Sequence, residues 1–221
     1  MMRKLYYRLH RVSKFREKDE PSGGWWHRRV RQEAVNLCQK YKGRVLEVGC
    51  GEGLFLANLA ILNPRIEIVG IDNNINKLSK AKERCAINKL NNIELIDANA
   101  LGIPFSDEYF DGTVCINTFF NMQSIEIVNQ ALAEIARVCK KGGKIIFDFR
   151  NSLNPFLRLK YKFSPYYDAT VKEDKLPLNT YNPKDMEKVL SKLNLTIMNK
   201  IYIGFPGNIL SPIIMIEAEK C

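Results

Sequence analysis

A short apolar run followed by three glycines at alternate positions is the feature that most constrains how this chain folds. Residues 45–53 read Val-Leu-Glu-Val-Gly-Cys-Gly-Glu-Gly, which places the glycines at Gly49, Gly51 and Gly53. Glycine is needed where the backbone takes positive φ or where a ligand touches the main chain. The segment therefore predicts a strand that ends in a loop suited to a nucleotide-like ligand.

The spacing of the glycines distinguishes between classes of ligand. The dinucleotide pattern Gly-x-Gly-x-x-Gly, started at Gly49, puts its third glycine at position 54, where the chain has Leu54. Glu47 lies two residues before the first glycine, where a carboxylate repels a diphosphate but attracts an ammonium group. A ligand with an ammonium group is therefore favoured over a dinucleotide.

In this motif the sequence resembles the class I S-adenosylmethionine (SAM)-dependent methyltransferases. Their first motif, (Asp/Glu)-x-Gly-x-Gly-x-Gly, is matched by Glu47, Gly49, Gly51 and Gly53. Among them the chain resembles the type 11 group, which includes quinone-biosynthesis enzymes. The resemblance implies SAM as cofactor, S-adenosylhomocysteine as product and these four residues in the cofactor site. It also implies a Rossmann-like α/β fold: a seven-stranded sheet of order 3-2-1-4-5-7-6, strand 7 antiparallel, with helices on both faces.

The next apolar segment, residues 66–72, ends in an acid that the resemblance also assigns to the cofactor. Asp72 would accept hydrogen bonds from both ribose hydroxyls, with Asn73 beside it in the same site. The other interpretation is that Asp72 caps the helix expected near residue 74, because aspartate favours that position.

The third and fourth strands supply the remaining cofactor residues implied by the resemblance. The segment 93–98 ends Ile-Asp-Ala, and Asp97 would accept from the adenine amine, with Ala98 next to it. After the fourth strand, Asn117 and Thr118 would face the cofactor. For this last pair an ordinary strand-to-helix loop is the other interpretation.

Apolar residues recur with helical spacing between these strands, so strands alternate with helices from residue 44 to 149. This alternation is typical of a parallel sheet with helices on its faces. One helix is predicted over residues 125–139, after the N-cap residue Ser124, and it ends in a Lys-Lys-Gly-Gly loop at 140–143. The fifth strand then follows at residues 144–149.

Positive charge is concentrated at the amino terminus. Residues 1–42 hold 12 Lys or Arg against 4 Asp or Glu, which is 8 of the chain's net charge of +10. We therefore separate a basic helical segment, residues 1–43, from a methyltransferase domain, residues 44–221. A basic amphipathic helix can cover the pocket as a lid, lie on anionic lipid or bind RNA phosphates, and the sequence leaves these three options open.

Residues 151–168 interleave aromatic and aliphatic side chains with cations. In this fold such a segment indicates a small, hydrophobic or aromatic acceptor, although the rings can equally close a small core beneath the loop. No catalytic residue is assigned. His27 is the first candidate for a general base, against the interpretation of a partly exposed residue at a helix start. The next candidates are Tyr6, Tyr7, Tyr161, Tyr166 and Tyr167.

The same sequence leaves two other functions open: an RNA methyltransferase, favoured by the basic amino terminus, and a SAM-binding regulatory subunit without turnover. We expect no metal site, since the chain has two histidines and no Cys-x-x-Cys pair. No apolar run reaches the ~20 residues of a membrane span, and the amino terminus lacks the apolar core of a signal peptide. We therefore expect a cytoplasmic protein, with or without contact at a membrane surface.

Overall fold

The computed structural model describes residues 25–167 and 177–221. The basic helix expected near the amino terminus, with Tyr6 and Tyr7, lies outside these residues, and so does the end of the variable segment at Asp168. In chain order the elements are α1 (Trp25–Cys38), β1 (Arg44–Val48), α2 (Leu54–Leu62), β2 (Glu67–Asp72), α3 (Ile75–Ile87), β3 (Ile93–Asp97), β4 (Phe110–Cys115), a 3-10 turn (Phe119–Asn121), α4 (Ile125–Val138), β5 (Cys139–Arg150), α5 (Pro155–Tyr167), α6 (Pro183–Lys192), β6 (Leu195–Ile203) and β7 (Ile213–Lys220).

The strands form one seven-stranded sheet of order β3-β2-β1-β4-β5-β7-β6. Strands β1 to β5 pair in parallel, whereas β7 runs antiparallel to both β5 and β6. The predicted fold class and strand order are therefore confirmed. The carboxyl ends of β1, β2 and β4 meet at one edge of this sheet, where a doubly wound fold binds its ligands.

Two apolar cores cover the two faces of the sheet. One contains Leu132 of α4 and Met186 of α6, and the other contains Val30 of α1, Leu56 of α2 and Leu78 of α3. Helix α1 thus packs on the same face as the helix that follows the glycine loop. No helix among the described residues is both long and apolar enough to cross a bilayer.

Side-chain caps define where several helices begin. The side chain of Asn74 accepts from the Lys77 amide before α3, at 3.1 Å, and Ser124 accepts from the Ile127 amide before α4, at 3.4 Å. Both are residue types that satisfy the free amides of a first helical turn. The predicted N-cap at Ser124 is therefore confirmed.

Strand β5 is longer than the sequence indicates. The expected loop at residues 140–143 instead belongs to the strand, which begins at Cys139 directly after α4. Pairing with β4 shifts from Phe110–Cys139 to Gly112–Lys144, so the extra residues form a bulge in which Gly142 has φ +73°. The left-handed glycine was expected, but it bends a paired strand rather than ending an unpaired loop.

Candidate functional site

A pocket with a volume of about 520 Å³ lies at the carboxyl ends of β1, β2 and β4. The structure brings eight of the ten predicted cofactor residues into its lining: Glu47, Gly49, Gly51, Asp72, Asn73, Ala98, Asn117 and Thr118. The other two, Gly53 and Asp97, are not among the lining residues. Gly53 is buried at the start of α2, and the Asp97 side chain is exposed at the end of β3.

The three glycines of the loop all take left-handed φ, but they differ in how much space surrounds them. A Cβ on Gly49 would lie 2.4 Å from the Thr118 hydroxyl, and one on Gly53 would lie 3.0 Å from the Ala81 Cβ. A Cβ on Gly51 would have only a Lys77 carbon as near as 4.0 Å. The outer two glycines thus allow close packing within the protein, whereas the middle one leaves space in the pocket.

Asp72 holds the glycine loop against the next helix. One of its carboxylate oxygens accepts from the Gly51 amide at 2.8 Å, and the other accepts from the Asn74 amide at 2.9 Å. Asn74, rather than Asp72, is the N-cap of α3. Asp72 therefore supports the turn before the helix, and each oxygen keeps one lone pair that the backbone amides do not use.

Glu47 and Arg31 place an acid and a cation deep in the pocket. Glu47 is 3% exposed, and its Oε2 has no hydrogen-bond partner among the described residues. Burial, together with the nearby Asp72 carboxylate, raises the pKa of Glu47 well above its usual range, while Arg31 opposes the rise. A buried carboxylate with an unsatisfied oxygen is a strong acceptor for a cationic ligand.

Sequence reasoning missed Arg31. It lies on the buried stripe of α1, at the steps of four, three and four residues that link His27, Arg31, Ala34 and Cys38. It lines the pocket and is only 6% exposed. The signal was present in the sequence, because an arginine in register with apolar positions of a helix indicates a charge turned inward.

Another part of the pocket wall is built around a buried arginine. Arg150 is 1% exposed, and its guanidinium donates to Asp148 at 2.5 Å and to the Asn117 side-chain oxygen at 3.0 Å. It also lies 3.3 Å from Nε2 of His27 and 4.4 Å above the Phe120 ring. We call these five residues, Asp148, Arg150, Asn117, His27 and Phe120, the arginine cluster.

Asn117 takes a left-handed backbone conformation, φ 52°, that the arginine cluster supports. Its amide donates to Asp148 at 2.5 Å, and its side-chain nitrogen donates to the His27 carbonyl at 3.4 Å. Asparagine tolerates this region better than most residues. The cluster thus fixes both the backbone and the side chain of a residue that lines the pocket.

Burial, together with nearby cations, determines the state of His27. Burial lowers the pKa of His27 well below its usual range, and Arg150, Arg31 and Lys160 lower it further. A guanidinium only donates hydrogen bonds, so the neutral imidazole accepts at Nε2 and carries its proton on Nδ1. Nδ1 is shielded from solvent and has no partner among the described residues. Burial also raises the pKa of Asp148, although Arg150 opposes this effect.

Asp148 and Arg150 were not anticipated from the sequence. They alternate with Phe147 and Phe149 at the end of β5, so they point to the opposite face of the sheet from these rings. Two opposite charges at a spacing of two in an otherwise apolar strand are the signal that could have identified them.

Comparison with known proteins agrees with the resemblance to methyltransferases that the sequence shows. A family model described as "Methyltransferase domain" matches residues 39–199. The demethylmenaquinone methyltransferase of Listeria monocytogenes serotype 4a is 32% identical over 121 residues, which cover 54% of this chain and 50% of that protein. The chain thus spans about half the length of the curated relatives it matches first.

Two solved structures cover nearly the whole chain. An S-adenosylmethionine-dependent methyltransferase from Clostridium acetobutylicum ATCC 824 has a TM-score of 0.68 at 16% identity, covering 98% of this chain and 99% of its own. Magnesium protoporphyrin IX methyltransferase from Synechocystis PCC 6803, solved with bound SAH, has a TM-score of 0.69 at 13% identity, covering 99% and 94%. At these identities the likeness establishes the fold.

The chain belongs to the methyltransferase-domain family, because the family model spans more than half of it. Its sheet order and the position of its pocket agree with this assignment.

Proposed function

We propose that this protein is an enzyme that transfers a methyl group from SAM to a small, hydrophobic or aromatic acceptor. The observation that carries the proposal is the buried Glu47 carboxylate with an unsatisfied oxygen, placed beside a glycine loop in a methyltransferase domain. The volume of the pocket, about 520 Å³, lies within the range of small-molecule sites.

The residues present fit SAM. Its methionine end is a zwitterion, and Glu47 and Arg31 offer the two complementary charges at one end of the pocket. Asp72 would hold the ribose hydroxyls, with Asn73 beside it, and Gly49 and Gly51 would let the cofactor approach the backbone. Ala98, Asn117 and Thr118 complete the proposed cofactor site. Gly53 supports it through the loop, and Asp97 requires a change of side-chain position to reach the adenine.

When bound, SAM supplies an electrophilic methyl group on a sulfonium whose leaving group is already good. The protein then has mainly to position the acceptor and exclude water. The arginine cluster suits this role, because a network of buried hydrogen bonds holds Asn117 and Phe120 at the pocket wall. We assign no catalytic base, since His27 is neutral and its Nε2 lone pair faces a cation.

A reduced quinone is the acceptor we favour. The name of the Listeria relative indicates a quinone precursor, and the wall of this pocket includes the apolar side chains of Phe120, Met122 and Ile127. A hydroquinone brings its own nucleophilic ring, so it does not need a strong base in the protein. The His27 ring lies 5.6 Å from the Phe120 ring, centroid to centroid, and its Nδ1 proton, which has no partner among the described residues, is a candidate donor to a ring oxygen.

Calorimetry with S-adenosylhomocysteine followed by transfer of labelled methyl from SAM tests the proposal. We expect binding by the native protein, binding weakened by about 100-fold or more in Gly49→Ala, and label in the organic phase with reduced demethylmenaquinone as acceptor. Label in a total RNA fraction would instead indicate an RNA methyltransferase. Binding without transfer to the quinone, to a pooled lipid extract or to RNA would indicate a regulatory subunit, and absence of binding would refute the cofactor assignment.

Contact between the basic amino-terminal segment and an anionic membrane stays a prediction, because that segment lies outside the described residues. The division of the chain at residue 43 is likewise a proposal. Helix α1, which falls before that boundary, contributes Val30 and Ala34 to the core of the domain.

A further inference from the structure

Helix α5 turns an apolar stripe toward solvent. Phe156, Leu159, Phe163 and Tyr166 follow one another at steps of three, four and three residues, so they share one face of the helix. Their exposed fractions are 81%, 56%, 42% and 73%. Leu157, on another face, is 1% exposed and packs on the domain. An amphipathic helix normally buries its apolar stripe, so this stripe is a surface for a partner.

The loop between β6 and β7 extends the same surface. It exposes Phe205, Ile209 and Leu210, and Phe205 is 92% exposed. The loop is tied to the start of α5, because the side chain of Asn151 donates to the Ile209 carbonyl and that of Asn154 to the Leu210 carbonyl, both at 2.7 Å. The stripe and the loop therefore belong to one continuous region, which we call the α5 face.

Within the two segments that form the α5 face, every charged residue is positive. Neither residues 151–167 nor residues 204–212 contain an Asp or Glu. Arg158 and Lys162 are exposed beside the stripe, one helical turn apart, and Lys160 lies over the Trp26 ring at 4.7 Å. Exposed aromatic rings bordered by cations, with no carboxylate, are complementary to a surface that is apolar inside and anionic outside.

We propose that the α5 face docks on an anionic lipid bilayer. Aromatic side chains are most stable at the boundary between lipid headgroups and acyl chains, and lysine and arginine are attracted to anionic headgroups. An exposed helix beside an exposed loop suits a soft, flat partner. The α5 face consists of residues that follow residue 150 in the sequence, and docking through it does not depend on the identity of the methyl acceptor.

Vesicle partitioning of the full chain tests the apolar part of this proposal. Vesicles of phosphatidylcholine with about one third phosphatidylglycerol are compared with pure phosphatidylcholine vesicles by co-sedimentation. We expect Phe156→Ser/Phe163→Ser to lower the partition coefficient by about tenfold or more, because two large apolar side chains leave the bilayer. Ile61→Ser/Leu62→Ser is the matched control, since these residues belong to α2 and are 57% and 61% exposed.

A second pair of variants tests the electrostatic part. Arg158→Glu/Lys162→Glu should weaken binding to the anionic vesicles by about tenfold at low salt. Binding of this variant should also depend much less on salt concentration than binding of the native chain. Lys82→Glu/Lys141→Glu makes the same change in net charge at exposed positions of α3 and β5 and should bind nearly as well as the native chain. Calorimetry with S-adenosylhomocysteine confirms that each variant is folded.

Three results would overturn the proposal. One is that the stripe variant binds vesicles no more weakly than its control. Another is equal binding of the native chain to vesicles with and without anionic lipid. The third is a native dimer, seen by size-exclusion chromatography, that Phe156→Ser/Phe163→Ser dissociates without any change in vesicle binding. In that case the α5 face is an interface between two copies of this chain.

Discussion

The two sides of the pocket are built in different ways. The glycine side, residues 47–53 together with Asp72, uses backbone conformation and contacts between two neighbouring strands. The arginine cluster uses side chains from α1, the loop after β4 and the end of β5, and one of its contacts joins residues 123 positions apart. The contact of Asp72 on the glycine side thus joins residues 21 positions apart, whereas the arginine cluster joins elements that are distant in the sequence.

Because of this difference, substitutions on the two sides act through different energies. On the glycine side a substitution acts through steric strain and lost ligand contacts. In the arginine cluster it acts through buried charge, because Asp148 and Arg150 are both 1% exposed. Removing one partner of such a pair leaves the other buried without compensation, which costs more than the pair itself contributes.

The largest effect is therefore expected from Arg150→Met. It should lower the free energy of unfolding by about 3–5 kcal/mol, as found for buried pairs that lose one partner. The double variant Asp148→Asn/Arg150→Met should recover at least half of this loss. Arg29→Met is the control, because it removes a surface ion pair with Glu33 and should cost at most about 1 kcal/mol. Denaturant unfolding measures the stability of all three variants. An equal loss of unfolding free energy in Arg150→Met and Arg29→Met would contradict the special role of buried charge in the arginine cluster.

The contrast also explains how much the sequence predicts. The strand order, and the eight of ten predicted cofactor residues that line the pocket, follow from the family resemblance, which rests on local motifs because each strand end carries its own signal. Asp97 was expected in the pocket, but a motif fixes its position along the strand and not the direction of its side chain. Arg31, Asp148 and Arg150 were missed, because their roles depend on contacts between distant elements. The bulge at Gly142 was missed because pairing with β4 continues past the end of α4.

The next largest effect is expected at Gly49. Gly49→Ala would place a Cβ 2.4 Å from the Thr118 hydroxyl and force a left-handed φ of 74° on alanine. We expect S-adenosylhomocysteine affinity to fall by about 100-fold or more, equivalent to ~2.7 kcal/mol. Gly102→Ala is the matched control, because a Cβ there has no atom within 4 Å. Calorimetry compares them, and similar affinities in both variants would refute the role of the glycine loop.

Glu47 links ligand binding to pH. Because burial raises the pKa of Glu47 in the free protein, and a bound ammonium would lower it, ligand binding releases a proton between the two values. Affinity for S-adenosylhomocysteine should thus rise with pH through this window and level off above the pKa of the free protein. Glu47→Gln should remove the pH dependence and weaken binding about ten- to 100-fold, the value of a charge-assisted hydrogen bond.

The same substitution should stabilise the protein without ligand. An acid whose pKa is raised by folding is more readily ionised in the unfolded chain, so its contribution to stability falls as pH rises above the unfolded value. Glu47→Gln removes this penalty, and its Tm should exceed that of the native protein at neutral pH. Glu94→Gln, at an exposed position of β3, is the control. An unchanged Tm together with unchanged affinity would show that Glu47 is satisfied without a cation.

The smallest effect is expected at His27. Here a role as general base and a role as a neutral member of the arginine cluster lead to opposite predictions. If His27 were a general base, its loss would reduce methyl transfer about 10²–10⁴-fold and remove one limb of the pH profile. Because Arg150 occupies Nε2 and the pKa of His27 is lowered, we expect His27→Gln to reduce the rate by less than about tenfold and to leave the pH profile unchanged. The chain has only two histidines, so NMR titration against His10 can follow the ring directly. A native His27 that titrates near neutral pH, with a matching limb in the rate profile, would restore it as the base and reduce the arginine cluster to a structural support.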